Sequence, residues 1–174
     1  MAHHLNELPP GITLRPVSSS DRDLLLQVYA STREEELAVV EWEPAAKDAF
    51  LQQQFDAQDA HYRTYPDASL DVIEVGGKPA GRLYVARWAD EIRIMDIALL
   101  PEYRNRGIGT ELLNELLEEA AGAGKRLTIH VEKFNPARRL YERLGFSEAA
   151  DRGVYVLMEA TPSSSETSPR TTSA

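Results

Sequence analysis

The chain contains no cysteine. That excludes disulfides, thiolate metal sites and a cysteine nucleophile. It is the usage expected of a protein kept in a reducing cytoplasm. No apolar run approaches the roughly 18 residues of a membrane-spanning helix. The start, Met1 to Pro10, lacks the basic-then-apolar order of a secretory leader. Positive charge is scarce too: 19 Lys and Arg stand against 28 Asp and Glu, a net charge of −9. That balance argues against broad binding to nucleic acid, and charge of this sign serves solubility. No internal repeat is found.

What is present is a chain of 174 residues, 43% of them hydrophobic, enough for one packed domain. That domain is expected over residues 12–160. Residues 1–11 read as a flexible start, in which His3 and His4 belong to a loose terminus rather than a metal site. From 161 to 174 the Ser, Thr and Pro content is too polar to pack, and disorder is expected.

The spacing predicts a strand over Ile12 to Val17, then a helix capped at Ser18 to Asp21 and running through Leu24 to Thr32. Trp42 to Pro44 breaks the pattern. Leu51, Phe55, Gln58 and Tyr62 then share one helix face. A three-strand antiparallel meander follows over Leu70 to Val75, Ala80 to Trp88 and Glu91 to Leu99, with turns at Gly76 to Pro79 and Ala89-Asp90. Ile108, Leu112, Leu113, Leu116, Leu117 and Ala120 form the apolar stripe of another helix, ended by Gly122 and Gly124. Arg126 to Glu132 alternates as a strand, so this strand–helix–strand unit predicts a parallel pair. Asn135 is read as the N-cap and Pro136 as the first residue of a helix running to Leu144. Phe146 and Val154 to Glu159 suggest a closing hairpin.

The densest signal is Arg104-Asn105-Arg106-Gly107-Ile108-Gly109, between the third meander strand and the amphipathic helix. A glycine-bearing turn at a helix start offers bare N–H groups and the positive end of a helix dipole, which is an anion cradle. A Walker-type phosphate loop needs Gly-Lys-Ser/Thr, but Gly109-Thr110 has no lysine. A dinucleotide fingerprint needs a third glycine where Leu112 stands, and it follows the first strand of a βαβ unit rather than a meander.

Arg104 to Gly109 fits R-x-x-G-x-G/A. The later Asn135-Pro-Ala137-Arg-Arg-Leu140-Tyr141-Glu-Arg-Leu144-Gly145-Phe146 fits N-x-A-x-x-L-Y-x-x-L-G-F. Together they resemble the GCN5-related N-acetyltransferase (GNAT) family, and the order of elements agrees over about residues 12 to 159. The resemblance implies an α/β fold with a mixed, mostly antiparallel seven-stranded sheet. Helices lie on both faces, and the parallel fourth and fifth strands splay apart around acetyl-coenzyme A.

It implies an enzyme moving acetyl from that cosubstrate directly to a primary amine, without a metal. A non-catalytic acyl-coenzyme A sensor on the same fold is the rival. The acceptor stays unnamed, and a homodimer is compatible with the family.

By the resemblance, amides from Arg104 through Asn105, Arg106, Gly107 and Gly109 to Thr110 cradle the pyrophosphate. The side chains of Arg104 and Arg106 are candidates for added charge. Backbone groups of Ile97 and Leu99 hold the pantetheine arm and polarise the thioester, and a β-bulge would free them from the ladder. Asn135 contacts the pantetheine. Tyr141 is the general acid for the leaving thiolate, with a core aromatic as the plain alternative. For the general base, Asp96 stands out as the one acid inside an apolar run, either desolvated and basic or a paired structural carboxylate. His130, Glu132, Glu41, Glu43 and a water relay stay open. Trp42, Tyr62 and Tyr65 could line an acceptor pocket, and Glu34 to Glu36 reads as a solvated helix end.

Overall fold

The computed structural model describes residues 10–162. The tail from 163 and the first nine residues, including His3 and His4, lie outside the described residues. The elements run β1 (Ile12–Pro16), α1 (Arg22–Ala38), α2 (Pro44–Tyr62), β2 (Ala68–Val75), β3 (Lys78–Arg87), β4 (Glu91–Leu99), α3 (Ile108–Ala123), β5 (Arg126–Glu132), α4 (Arg138–Arg143), β6 (Ser147–Arg152) and β7 (Tyr155–Ala160). One seven-stranded sheet has the order β1-β2-β3-β4-β5-β7-β6. Every neighbouring pair is antiparallel except β4 with β5.

Alternation along β3 sorts the two faces. Leu83 and Val85 join the large core with the α3 stripe Ile108, Leu112, Leu113, Leu116 and Ala120. Arg82 and Tyr84 point the other way, where Arg82 bonds Gln58 of α2 and Tyr84 meets the Tyr62 ring. Helices therefore cover both faces. A smaller core of Leu25, Tyr29 and Phe55 seals α1 against α2.

Two helices depart from expectation. α1 continues to Ala38, because the run from Arg33 to Leu37 is rich in strong helix formers. The last helix begins at Arg138, not Pro136. Its entry is a tight turn, in which the amides of Arg138, Arg139 and Leu140 bond to carbonyls three residues back. Asn135 is therefore not the N-cap, a place Ala137 takes; its Oδ1 accepts the Ala137 amide at 2.9 Å and closes the turn before the helix. The closing hairpin is present, but Val154 lies in its turn rather than in β7.

The start of α1 is pinned by charge. Both oxygens of Asp21 accept Arg15 guanidinium hydrogens at 2.8 Å. The Ser18 amide donates to Asp21 Oδ2 at 2.8 Å. Hydrogen bonds from Arg15 hold the Asp21 carboxyl well below the usual range. A lowered folded value stabilises above the unfolded pKa of about 3.9 and is lost as pH falls below it. Asp21→Asn is expected to cost about 1–2 kcal/mol at neutral pH and progressively less as pH falls below about 4, read by urea unfolding at pH 7 and about pH 3.

Candidate active site

β4 is antiparallel to β3 on one side and parallel to β5 on the other, and both ladders change at one point. On the β3 side, Val85 faces Ile94 while Tyr84 faces Asp96, so Met95 is an extra, bulged residue. On the β5 side the pairing runs from Glu91↔Arg126 to Ile94↔Ile129 and stops. β5 continues alongside β7 to Glu132. Beyond Ile94 the two strands part and flank a cleft of about 1160 Å³.

The bulge decides where Asp96 points. Ile92 and Ile94 face the α3 core, and strict alternation would send residue 96 there too. An ionised carboxylate in that core would be costly. The extra residue reverses the parity: Ile97 packs on the core, and Asp96 emerges on the α2 side of the cleft.

Alternation also orients the backbone. The Leu100 amide donates to Ala80 of β3 at 2.8 Å. The polar groups of Leu99 and Ile97 therefore point away from β3, into the gap left by β5. The Leu99 carbonyl is taken by Arg104 Nε at 3.0 Å.

After β4 comes a short 3-10 turn, Pro101–Tyr103. The Arg104 amide closes on Pro101, and the Glu111 amide closes on Gly107. The six amides between, residues 105 to 110, give no bond to a backbone carbonyl among the described residues. Asn105 at φ 60° and Gly107 at φ 79° are both left-handed, which curls these N–H groups into a concave loop. A Cβ placed on Gly109 would meet nothing within 4 Å. The first turn of α3 thus has an open face where a pyrophosphate can approach.

The arginines of this loop divide. Arg106 lies over Tyr103, 5.7 Å from the ring centroid. Arg104 turns back, with Nη2 donating to the Ser31 hydroxyl at 3.1 Å and Nε to Leu99. Its amide bonds Pro101 and its exposed guanidinium bonds Leu99 and Ser31, so Arg104 ties the loop to β4 and α1.

Tyr141 is 7% exposed and packs edge-on against Phe146 at 5.6 Å. It borders the cleft. Burial, then the charge of Asp96, pushes its hydroxyl up to about 12. It is therefore protonated across the physiological range. Asn135 also borders the cleft.

Asp96 is paired. Its Oδ2 accepts Arg82 Nη2 at 2.5 Å and the Tyr62 hydroxyl at 3.2 Å. His130 borders the cleft, but its Nδ1 faces Arg93 Nη1 at 3.3 Å. Arginine can only donate, so Nδ1 accepts and the neutral ring carries its proton on Nε2. Burial and the charges of Arg93 and Arg152 hold His130 below its ordinary value. Arg93 takes the Nδ1 lone pair, so for a proton to be accepted there that contact must first break. Glu132, Glu35 and Glu36 border the cleft, and Glu36 pairs with Arg33 at 3.2 Å.

Glu34 opens on a separate groove. Glu41 and Glu43 do not border the cleft, nor do Trp42, packed on Phe50, and Tyr65, packed on His61. Of the three aromatics considered from sequence, Tyr62 alone reaches it. Sequence reading passed over Arg82, 2% exposed, and Gln58 as an acceptor for it. The available signal was Arg82 lying on the opposite face from Leu83 and Val85, inside the apolar stretch from Ala80 to Ala86.

A parallel pair that parts beyond Ile94, a loop of unbonded amides after β4 and a buried phenol bordering the cleft make up the site of an acyltransferase-type α/β fold. Residues 29–146 match the Acetyltransferase (GNAT) family, and the chain belongs to it. The fold superimposes at TM-score 0.66 on PaiA N-acetyltransferase from Thermoplasma acidophilum in complex with coenzyme A, over 86% of this chain and 98% of that one at 18% identity. An acetyltransferase from Thermus thermophilus gives TM-score 0.60, over 88% of this chain and 97% of that one at 22% identity. At these identities the likeness concerns the fold alone.

Among curated relatives, a [ribosomal protein bS18]-alanine N-acetyltransferase of Haemophilus influenzae is 39% identical over 67 residues, 38% of this chain and 46% of that protein. An uncharacterised N-acetyltransferase of Methanocaldococcus jannaschii is 38% identical over 89 residues, 44% of this chain and 38% of that protein. The chain spans less than half the length of these two. A Bacillus subtilis relative, provisionally assigned the bS18 activity, is 32% identical over 116 residues, 64% of this chain and 70% of that protein. No helix among the described residues is long and apolar enough to cross a membrane.

Proposed function

We propose that this protein is a cytoplasmic N-acetyltransferase that moves acetyl from acetyl-coenzyme A directly to a primary amine in a ternary complex. The observation that carries the reading is the coincidence of the Met95 bulge with the end of the β4–β5 ladder. It opens the cleft that Tyr141 borders, and β4 leads on from that cleft to the free amides of residues 105 to 110. The cradle amides bind the pyrophosphate. The outward-facing backbone of Ile97 and the Leu99 amide take the pantetheine arm and polarise the thioester carbonyl. Asn135 adds a contact to the same arm.

The acceptor ammonium gives one proton to Asp96, and its nitrogen attacks the thioester carbon. As the C–N bond forms the C–S bond breaks, and sulfur takes the Tyr141 proton. Tyr141 is reloaded by the second nitrogen proton, and Asp96 returns its own to solvent. Direct transfer is favoured because the chain has no cysteine to carry the acetyl group.

The bS18-alanine activity of the Haemophilus relative makes an α-amino group the first acceptor class to try. A thiol-release screen with acetyl-coenzyme A across polyamines, aminoglycosides, amino acids, lysine peptides and alanine-initiated peptides tests the reading. Release stimulated by at least one class is expected. Coenzyme binding with no release across the panel would instead make the protein a sensor.

A further inference from the structure

Asp96 does not stand alone in the cleft. It is held from two elements outside the motifs that define the cradle and the acid. Arg82 of β3 donates to its Oδ2 at 2.5 Å, and Tyr62 of α2 donates to the same atom at 3.2 Å. Arg82 is itself fixed by Gln58 at 2.9 Å, and its side chain is 3% exposed. Tyr62 also reaches the carbonyl of the bulged Met95 at 3.4 Å. Both charge-assisted bonds therefore fall on one oxygen. Oδ1 has no hydrogen-bond partner among the described residues.

We propose that Arg82 and Tyr62 are positioning residues for acetyl transfer, which lock Oδ2 of Asp96 so that Oδ1 faces the acceptor nitrogen. The proposal rests on the reading of Asp96 as the proton acceptor. A carboxylate on a bulged strand can rotate about its χ angles, and a rotated carboxylate presents its lone pairs to the wrong place. Two donors from different elements remove that freedom. They also connect α2, a wall of the cleft, to the atom that receives the proton. The Tyr62 hydroxyl is kept protonated by burial and by the charge of Asp96, so it serves as a donor at any working pH.

The test uses the full chain, acetyl-coenzyme A and two acceptors small enough for any amine site. Ethylamine is cationic at pH 7 and must lose a proton before attack. Hydroxylamine is already uncharged. Tyr62→Phe is expected to lower kcat/KM for ethylamine about tenfold. It should change hydroxylamine turnover by less than about twofold and leave the acetyl-coenzyme A KM alone. A merely structural role would move both acceptors together. Asp96→Asn should show the same selectivity with a larger loss, about a hundredfold.

The double variant should be no worse than Asp96→Asn, because Tyr62 acts through Asp96. Arg82→Lys, which keeps the charge, should retain more ethylamine activity than Arg82→Met. Equal losses with both acceptors, additive losses in the double variant, or no loss in Tyr62→Phe would overturn the positioning role. If Asp96→Asn itself leaves ethylamine turnover unchanged, the reading of Asp96 as proton acceptor fails first.

Discussion

Tyr141→Phe is expected to lower kcat at least about tenfold while shifting acetyl-coenzyme A affinity by less than about twofold. The ring is buried against Phe146, and phenylalanine keeps that packing. Only the hydroxyl is lost. That hydroxyl makes no hydrogen bond among the described residues, so its removal leaves no protein partner stranded. What disappears is the proton for the departing sulfur. Because burial holds the phenol at about 12, the acid stays loaded to high pH. A basic limb in the wild-type rate within the assayed range is then expected to come from another group or from the acceptor. Steady-state thiol release with a stimulating amine, from pH 6 to 10, decides the matter. Turnover equal to wild type would take Tyr141 out of the mechanism and leave it as a core aromatic.

Gly109→Leu separates folding from donor binding in opposite directions. A Cβ there meets nothing, so the variant should fold. In the first turn of α3 a leucine is a better helix former than glycine, which adds up to about 1 kcal/mol to the free protein. The same side chain fills the face that the pyrophosphate must approach. Coenzyme A affinity is expected to fall about a hundredfold, or about 2.7 kcal/mol. Calorimetric titration with coenzyme A, beside a melting curve of the free protein, reads both. Wild-type affinity in a folded Leu variant would move the phosphate site away from this loop.

Much of this arrangement was legible in the chain. β4 and β5 were bounded to the residue, because β-branched runs sat between Asp90, Pro101, Gly124 and the Lys133 turn. The strand–turn–helix setting of Arg104 to Gly109 was legible because its glycines fall between a strand and an amphipathic stripe. The start of α4 was misjudged at Asn135-Pro136, where a cap and a proline suit a tight turn as well as an α-helix.

A bulge in this strand was expected only from the family resemblance, and its place at Met95 could not be read from the residues. It depends on the cost of sending Asp96 into a core built by another helix, and no local spacing encodes that. The Arg82–Asp96 pair was hidden for the same reason. Without the extra residue Arg82 would face Ile97, and only the shifted register brings the two charges onto the same side. Arg104 was placed by motif position, and its side-chain bond to Ser31, 73 residues away in sequence, had no local signal.

The short β4–β5 ladder makes the sheet a mechanical assembly of two plates. Residues 12–99 weave one plate and residues 126–160 the other, each from strands that are neighbours in sequence. They meet along a seam of four backbone pairs, with α3 as the strap across it. With so few backbone bonds across it, the seam is a line along which local opening costs little from the ladder itself. A molecule bridging it acts as a splice, sharing between the plates a load that the seam alone would bear.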